Sequence, residues 1–86
     1  MNGRELVAWN IRRIRVTQGI SQDLLAADAA IDRAYLGGLE RQRENPTVDL
    51  LDRVARALSV NVSELFRVPE IGEVPPEALR GGRRRK

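Results

Sequence analysis

Eighty-six residues with 42% hydrophobic and 31% charged side chains make one small globular domain, a size that buries only about 60% of its unfolded surface. Cysteine and histidine are both absent, which excludes a disulfide scaffold, a Cys or His metal site, a thiol nucleophile and the usual general base, so no cofactor, metal or enzymatic role is expected. The formal charge of +3 is spread thinly: residues 1–68 hold 10 Arg against 9 acidic residues, and residues 69–86 hold 5 basic against 3 acidic, so nucleic-acid binding has to be argued from where particular arginines sit.

The first segment, about residues 3–17, reads as a helix. Asn2 is an N-cap, Glu5 closes a capping box, and Val7, Ile11 and Ile14 share one face. Gly19 is the stop signal. Ser21 caps a second helix, about 22–28, with Leu25 and Ala26 inward. Asp32 caps a third, about 33–41, with Leu36 and Leu39 inward. Arg43-Glu44-Asn45-Pro46 is a loop, because proline biases the residue before it away from helix. Thr47 caps a fourth helix, about 48–58, with the apolar stripe Leu51, Val54, Ala55 and Leu58. Asn61, with Glu64 at the capping-box position, starts a short fifth helix, about 62–67, whose Leu65 and Phe66 plug the core.

No segment alternates with period two, so no strand is predicted, and no internal repeat is visible. Residues 69–86 hold three of the four prolines, three glycines and the run Arg83-Arg84-Arg85-Lys86, which reads as a flexible basic tail. The apolar runs fall far short of a membrane span and the N-terminus lacks the apolar stretch of a signal peptide, so a cytoplasmic chain with no membrane partner is expected.

The centre of the chain carries the functional pattern. Counting twenty positions from Gln22 to Arg41, a helix-turn-helix asks for a small residue at the fifth, Ala26, where the helices cross. It asks for a turn residue at the ninth, Ala30, and apolar residues at the tenth, fifteenth and eighteenth, Ile31, Leu36 and Leu39. The fuller string runs Ile11, Arg15, Gly19-Ile20-Ser21-Gln22, Leu25-Ala26, Tyr35-Leu36, Leu39-Glu40-Arg41, Asn45-Pro46, Leu51, Val54-Ala55, Ala57-Leu58, Val60 and Glu64-Leu65-Phe66. Over residues 6–67 it resembles the Cro/CI-type, or XRE-family, helix-turn-helix domain. The resemblance implies an all-α, five-helix lambda-repressor-like domain over residues 1–68, with the helix-turn-helix at 22–41, that binds double-stranded DNA as a homodimer.

It also implies roles. Gln22 touches DNA near a phosphate and its amide can brace a reading side chain. Arg33, at the start of the reading helix, is long enough to grip guanine N7 and O6 bidentately, or else it serves only phosphates. Ala34 meets a thymine methyl or simply favours helix. Tyr35 reaches a phosphate through its hydroxyl or packs on a neighbouring helix. Arg41, Arg43 and Asn45 clamp the phosphate backbone. Arg15 and Glu40 form a buried ion pair tying the first helix to the helix-turn-helix.

Three departures stand out. Ala30 replaces the usual turn glycine, Gln42 replaces the glycine after the Glu-Arg pair, and Gly37 and Gly38 occupy what is expected to be the exposed face of the reading helix. Those two glycines mean either close approach to DNA or few bases read. Trp9 falls opposite the core stripe, exposed or else covered by a second subunit or by residues 68–74, with Val68, Ile71 and Val74. The basic tail adds DNA affinity by counterion release or keeps the chain in solution. The leading expectation is a stand-alone, sequence-specific regulator, homodimeric through Val60, Val62 and their neighbours. The rival is an antitoxin-like protein-interaction module, its partner unknown, in which DNA binding is accessory.

Overall fold

Short polar caps set where each helix starts. The Asn2 side chain accepts from Glu5 N at 2.9 Å while Glu5 accepts from Asn2 N at 2.8 Å, and α1 spans Gly3–Thr17. Ser21 accepts from Leu24 N at 3.1 Å at the head of α2, Gln22–Ala29. Asp32 accepts from Ala34 N and Tyr35 N at 3.1 and 3.3 Å to open α3, Arg33–Glu40. Thr47 accepts from Leu50 N at 3.0 Å to open α4, Val48–Ala57. These come from a computed structural model that describes residues 1–74. The expected tail from Pro75 onward, with its closing arginines, lies outside the described residues.

The last element differs from expectation. Val62–Phe66 is a 3-10 turn, so the described residues form four α-helices and a 3-10 turn in place of five α-helices. The reason is local. Glu64 N bonds Asn61 O at 2.9 Å, and the carbonyls of Leu65 and Arg67 are taken by the Asn10 side chain at 3.1 and 2.8 Å, so they are not available to a continuing helix. Glu64, expected to close a capping box, turns toward Arg13 instead, 3.9 Å away. Phe66, expected in the core beside Leu65, is 44% exposed, whereas Leu65 is fully buried.

The core gathers Val7, Ile11 and Ile14 of α1, Leu25, Ala26 and Ala29 of α2, Leu36 and Leu39 of α3, Leu51, Val54 and Ala55 of α4, and Leu58 and Leu65. Every helix thus contributes one apolar stripe, and burial of these side chains is the main drive to fold. Asn10 is, with Arg15, one of the two buried polar exceptions among the described residues. Asn10 donates to the α1 carbonyl of Leu6 and to the closing turn, and accepts from Arg13, so its amide is satisfied on both sides and fastens the turn to α1.

Trp9 is half-buried, with the Arg13 and Arg67 guanidinium groups 5.6 and 5.7 Å from its ring centroid. Its cover is Arg67, not the expected apolar residues: Val68, Ile71 and Val74 are 71%, 106% and 76% exposed. Arg67 is in turn held by Glu73 at 2.9 Å. Burial holds the Arg13 pKa below its usual value, the Arg67 charge adds to that, and Glu64 and Glu73 oppose it.

Candidate nucleic-acid interface

The two central helices are joined through Ala30, which sits in the left-handed region at φ 59°. A β-carbon there is strained by about 1–2 kcal/mol relative to ordinary helical backbone. Arg53 of α4 offsets part of this by donating to Ala29 O at 3.2 Å and Ala30 O at 2.9 Å, which caps the C-terminal carbonyls of α2. Gln42, at the second position where glycine is usual, is also left-handed at φ 65°. Its turn lets Arg43 N bond Gly38 O at 2.8 Å and folds the following loop back against the end of α3.

The orientation of α3 is set by a buried network. Arg15 donates to Glu40 through Nε at 2.7 Å and Nη2 at 2.9 Å, and to Ile20 O through Nη1 at 2.9 Å. Gln22 Nε2 donates to the same Glu40 carboxylate at 3.1 Å. Three helices therefore meet on one carboxylate. Gln22 is half-buried, and its amide is committed to Glu40 rather than to bracing a reading side chain as expected.

A different residue of α2 meets Arg33. Arg33 Nε lies 3.2 Å from Asp23 Oδ1 of α2, in a pair whose side chains are 58% and 83% exposed. Sequence reasoning missed Asp23, because no fixed spacing links the second residue of one helix to the first of the next. It missed Arg53 for the same reason. Ala34 is exposed beside Arg33, while Tyr35 is half-buried and packs against the core.

Gly37 and Gly38 are buried, which corrects their expected place on the exposed face of α3. A β-carbon on Gly37 would lie 3.4 Å from Arg41 Nη1, and one on Gly38 would lie 2.7 Å from Glu44 Oε2. The long side chains of Arg41 and Glu44 fold back over the glycines and cover them. Residues 33 and 37 are one helical turn apart on the same face. The Arg41 guanidinium, lying over Gly37, therefore shares that face with Arg33. Arg43 and Asn45 are exposed in the loop that follows. Three arginines thus stand on α3 and its exit, over a helix locked from behind. Among the described residues no cluster of side chains suited to a metal ion is present, and no helix is long and apolar enough to cross a membrane.

Comparison with known proteins fits this arrangement. A family described as helix-turn-helix matches residues 11–65. A hypothetical transcription factor of Neisseria meningitidis is 36% identical over 67 residues, covering 78% of this chain and 63% of that protein, so the chain spans under two thirds of that relative's length. The control protein C.SmaI of Serratia marcescens is 35% identical over 66 residues, covering 77% of this chain and 79% of that protein. The solved structure of the transcription factor NHTF from Neisseria superposes with a TM-score of 0.76 at 35% identity, covering 79% of this chain and 78% of that one. The restriction-modification controller protein C.Esp1396I, solved as a tetramer in complex with its natural 35 base-pair operator, gives a TM-score of 0.68 at 27% identity, covering 78% of this chain and 99% of that one.

Proposed function

The chain belongs to the Cro/CI-type (XRE) helix-turn-helix family of DNA-binding transcriptional regulators, similar to restriction-modification controller proteins, and from that premise we propose that it binds a pseudo-palindromic operator as a homodimer. The observation that carries this reading is the exposed Arg33 at the head of a helix whose back is fixed by Arg15, Glu40 and Gln22. A helix so fixed enters a major groove by its N-terminal turn without first having to be ordered.

In this reading each residue of the interface has a role. Arg33 grips guanine O6 and N7, and Ala34 beside it meets a thymine methyl. Arg41, Arg43 and Asn45 hold phosphates at the end of α3 and in the loop. The second amide N–H of Gln22, beside the one given to Glu40, and the hydroxyl of half-buried Tyr35 complete the backbone contacts. Gly37 and Gly38 contribute no side chain; they seat Arg41 and Glu44.

The domain proper is residues 1–68, with the helix-turn-helix at 22–41. The subunits meet at the end formed by α4 and the 3-10 turn, where Phe66 is exposed and Val60 and Val62 are half-buried. Two-fold symmetry doubles the contacts of a small reading surface and places the half-sites about 34–36 Å apart, one helical turn of DNA. C.Esp1396I on its operator is a precedent for assembly on DNA by a protein of this fold.

The test is selection from random duplexes, then footprinting at stated salt and sedimentation with and without the selected duplex. Two protected half-sites one turn apart and a dimer on DNA are expected. A chain that stays monomeric on the selected duplex contradicts the homodimer.

A further inference from the structure

We infer that Asp23 is a positioning residue for base recognition: it holds the Arg33 guanidinium in the pose that presents its fork to guanine. This deepens the DNA-binding reading above and rests on it. Asp23 is the second residue of α2 and Arg33 the first of α3, and the pair bridges the two helices at their N-terminal ends, Nε to Oδ1 at 3.2 Å. Pairing through Nε leaves both terminal Nη groups of Arg33 without a partner among the described residues. Those two donors are the ones that meet guanine O6 and N7 side by side.

A carboxylate on a surface that meets phosphates works against affinity, since it repels them. Its gain in stability is small, because an exposed ion pair contributes little and the first turn of a helix favours an acidic residue only modestly. What the pair does supply is order. Freezing a long side chain at an interface costs about two- to twelvefold in affinity, and Asp23 meets that cost before DNA arrives. It also restrains Arg33 from swinging to a phosphate or a neighbouring base, so a wrong base at the guanine position loses more than the right one.

The experiment uses the full chain, Asp23→Ala, Asp23→Asn, Arg33→Ala and the double variant Asp23→Ala/Arg33→Ala. Each is titrated against the duplex the unaltered chain selects, and against duplexes changed singly at each guanine. The guanine read by Arg33 is the one at which Arg33→Ala loses discrimination. There, Asp23→Ala is expected to lower discrimination by about two- to twelvefold while binding to the changed duplex holds or tightens. Asp23→Asn, which keeps the size of the side chain but not the charge of the ion pair, is expected to lose discrimination much as Asp23→Ala does. With Arg33 already alanine, removing Asp23 leaves discrimination unchanged, a result that a merely structural role would not give. Thermal midpoints close to that of the unaltered chain exclude misfolding as the cause.

Unchanged discrimination in Asp23→Ala, or the same loss in both backgrounds, overturns the inference and leaves the DNA-binding reading standing. So does the absence of any guanine sensitive to Arg33→Ala. Selection of no sequence by the unaltered chain overturns the reading and the inference together.

Discussion

Arg15 and Glu40, 25 residues apart in sequence, meet in a two-point ion pair whose side chains are 4% and 5% exposed. A third Arg15 N–H donates to Ile20 O, and the Gln22 amide donates to the same Glu40 carboxylate. Burying two charges is favourable only when the pair geometry is good and further hydrogen bonds support it, as the two-point contact, Ile20 O and Gln22 do here. The pair joins α1 to the end of α3, and Gln22 adds α2. Changing Glu40→Gln strands the Arg15 charge in the interior. The expected cost is about 3–5 kcal/mol. For a domain of this size that lowers the melting midpoint by more than about 10 °C. A calorimetric midpoint within one or two degrees of the unaltered chain would show that the pair is not what ties these helices.

The turn at Ala30 predicts a gain. Its left-handed backbone strains a β-carbon, and Arg53 only caps the neighbouring carbonyls. Ala30→Gly relieves the strain, less the added entropy of glycine in the unfolded chain, and should stabilise by about 0.5–1 kcal/mol. Arg53→Ala should destabilise by about 1 kcal/mol through the carbonyls it leaves uncapped. Urea titration of both variants checks the two signs.

Gly37 predicts another gain, for a different reason. It lies inside α3 at ordinary helical φ, and a β-carbon there meets only the flexible end of Arg41 at 3.4 Å. Gly37→Ala should therefore add up to about 1 kcal/mol of helix stability. Gly38→Ala should add less, because its β-carbon would stand 2.9 Å from Glu44 Cγ as well as 2.7 Å from Oε2, and the whole side chain must move. Thermal melts that rank Gly38→Ala above Gly37→Ala would contradict this packing.

The sole tryptophan gives a pH readout. The Glu70 backbone N–H, then the Arg67 guanidinium, hold the Glu73 carboxyl below its usual value of 4.5. A carboxyl lowered on folding stabilises the folded arrangement above its unfolded pKa, and that contribution is lost as pH falls through the lower folded value. Arg67, tethered by Glu73, lies over Trp9. Trp9 emission should therefore change as pH drops below about 4.5. Glu73→Gln should remove that part of the change, and identical profiles for the two chains would contradict the tether.

Much of the fold was legible because its signals are short-range. Asn2, Ser21, Asp32 and Thr47 each cap within three residues, and the apolar stripes repeat within a helix, so sequence spacing alone locates them. The turn residues Ala30 and Gln42 stand out as departures because the family pattern has glycine there. What escaped depends on distant chain. Phe66 looks like a core residue next to Leu65, yet its exposure follows from Asn10 holding the carbonyls on either side of it. Gly37 and Gly38 look exposed on a helical wheel, which has no means of showing that Arg41 and Glu44 fold back over them. Gln22 and Asp23 are adjacent, and only the folded chain shows that the first serves Glu40 and the second Arg33.

The proposed DNA binding rests on a division of labour between Arg33, which reads a base, and Arg43, which holds a phosphate. A titration of Arg33→Ala and Arg43→Ala against the selected operator and a scrambled duplex, at two salt concentrations, separates the two roles. Arg33→Ala should cost about 1–3 kcal/mol on the operator alone and relax preference at one guanine per half-site. Arg43→Ala should weaken both duplexes alike and flatten the salt dependence by about one unit for each phosphate no longer held. If Arg33→Ala instead weakens operator and scrambled duplex equally, Arg33 is a phosphate clamp and the division does not hold.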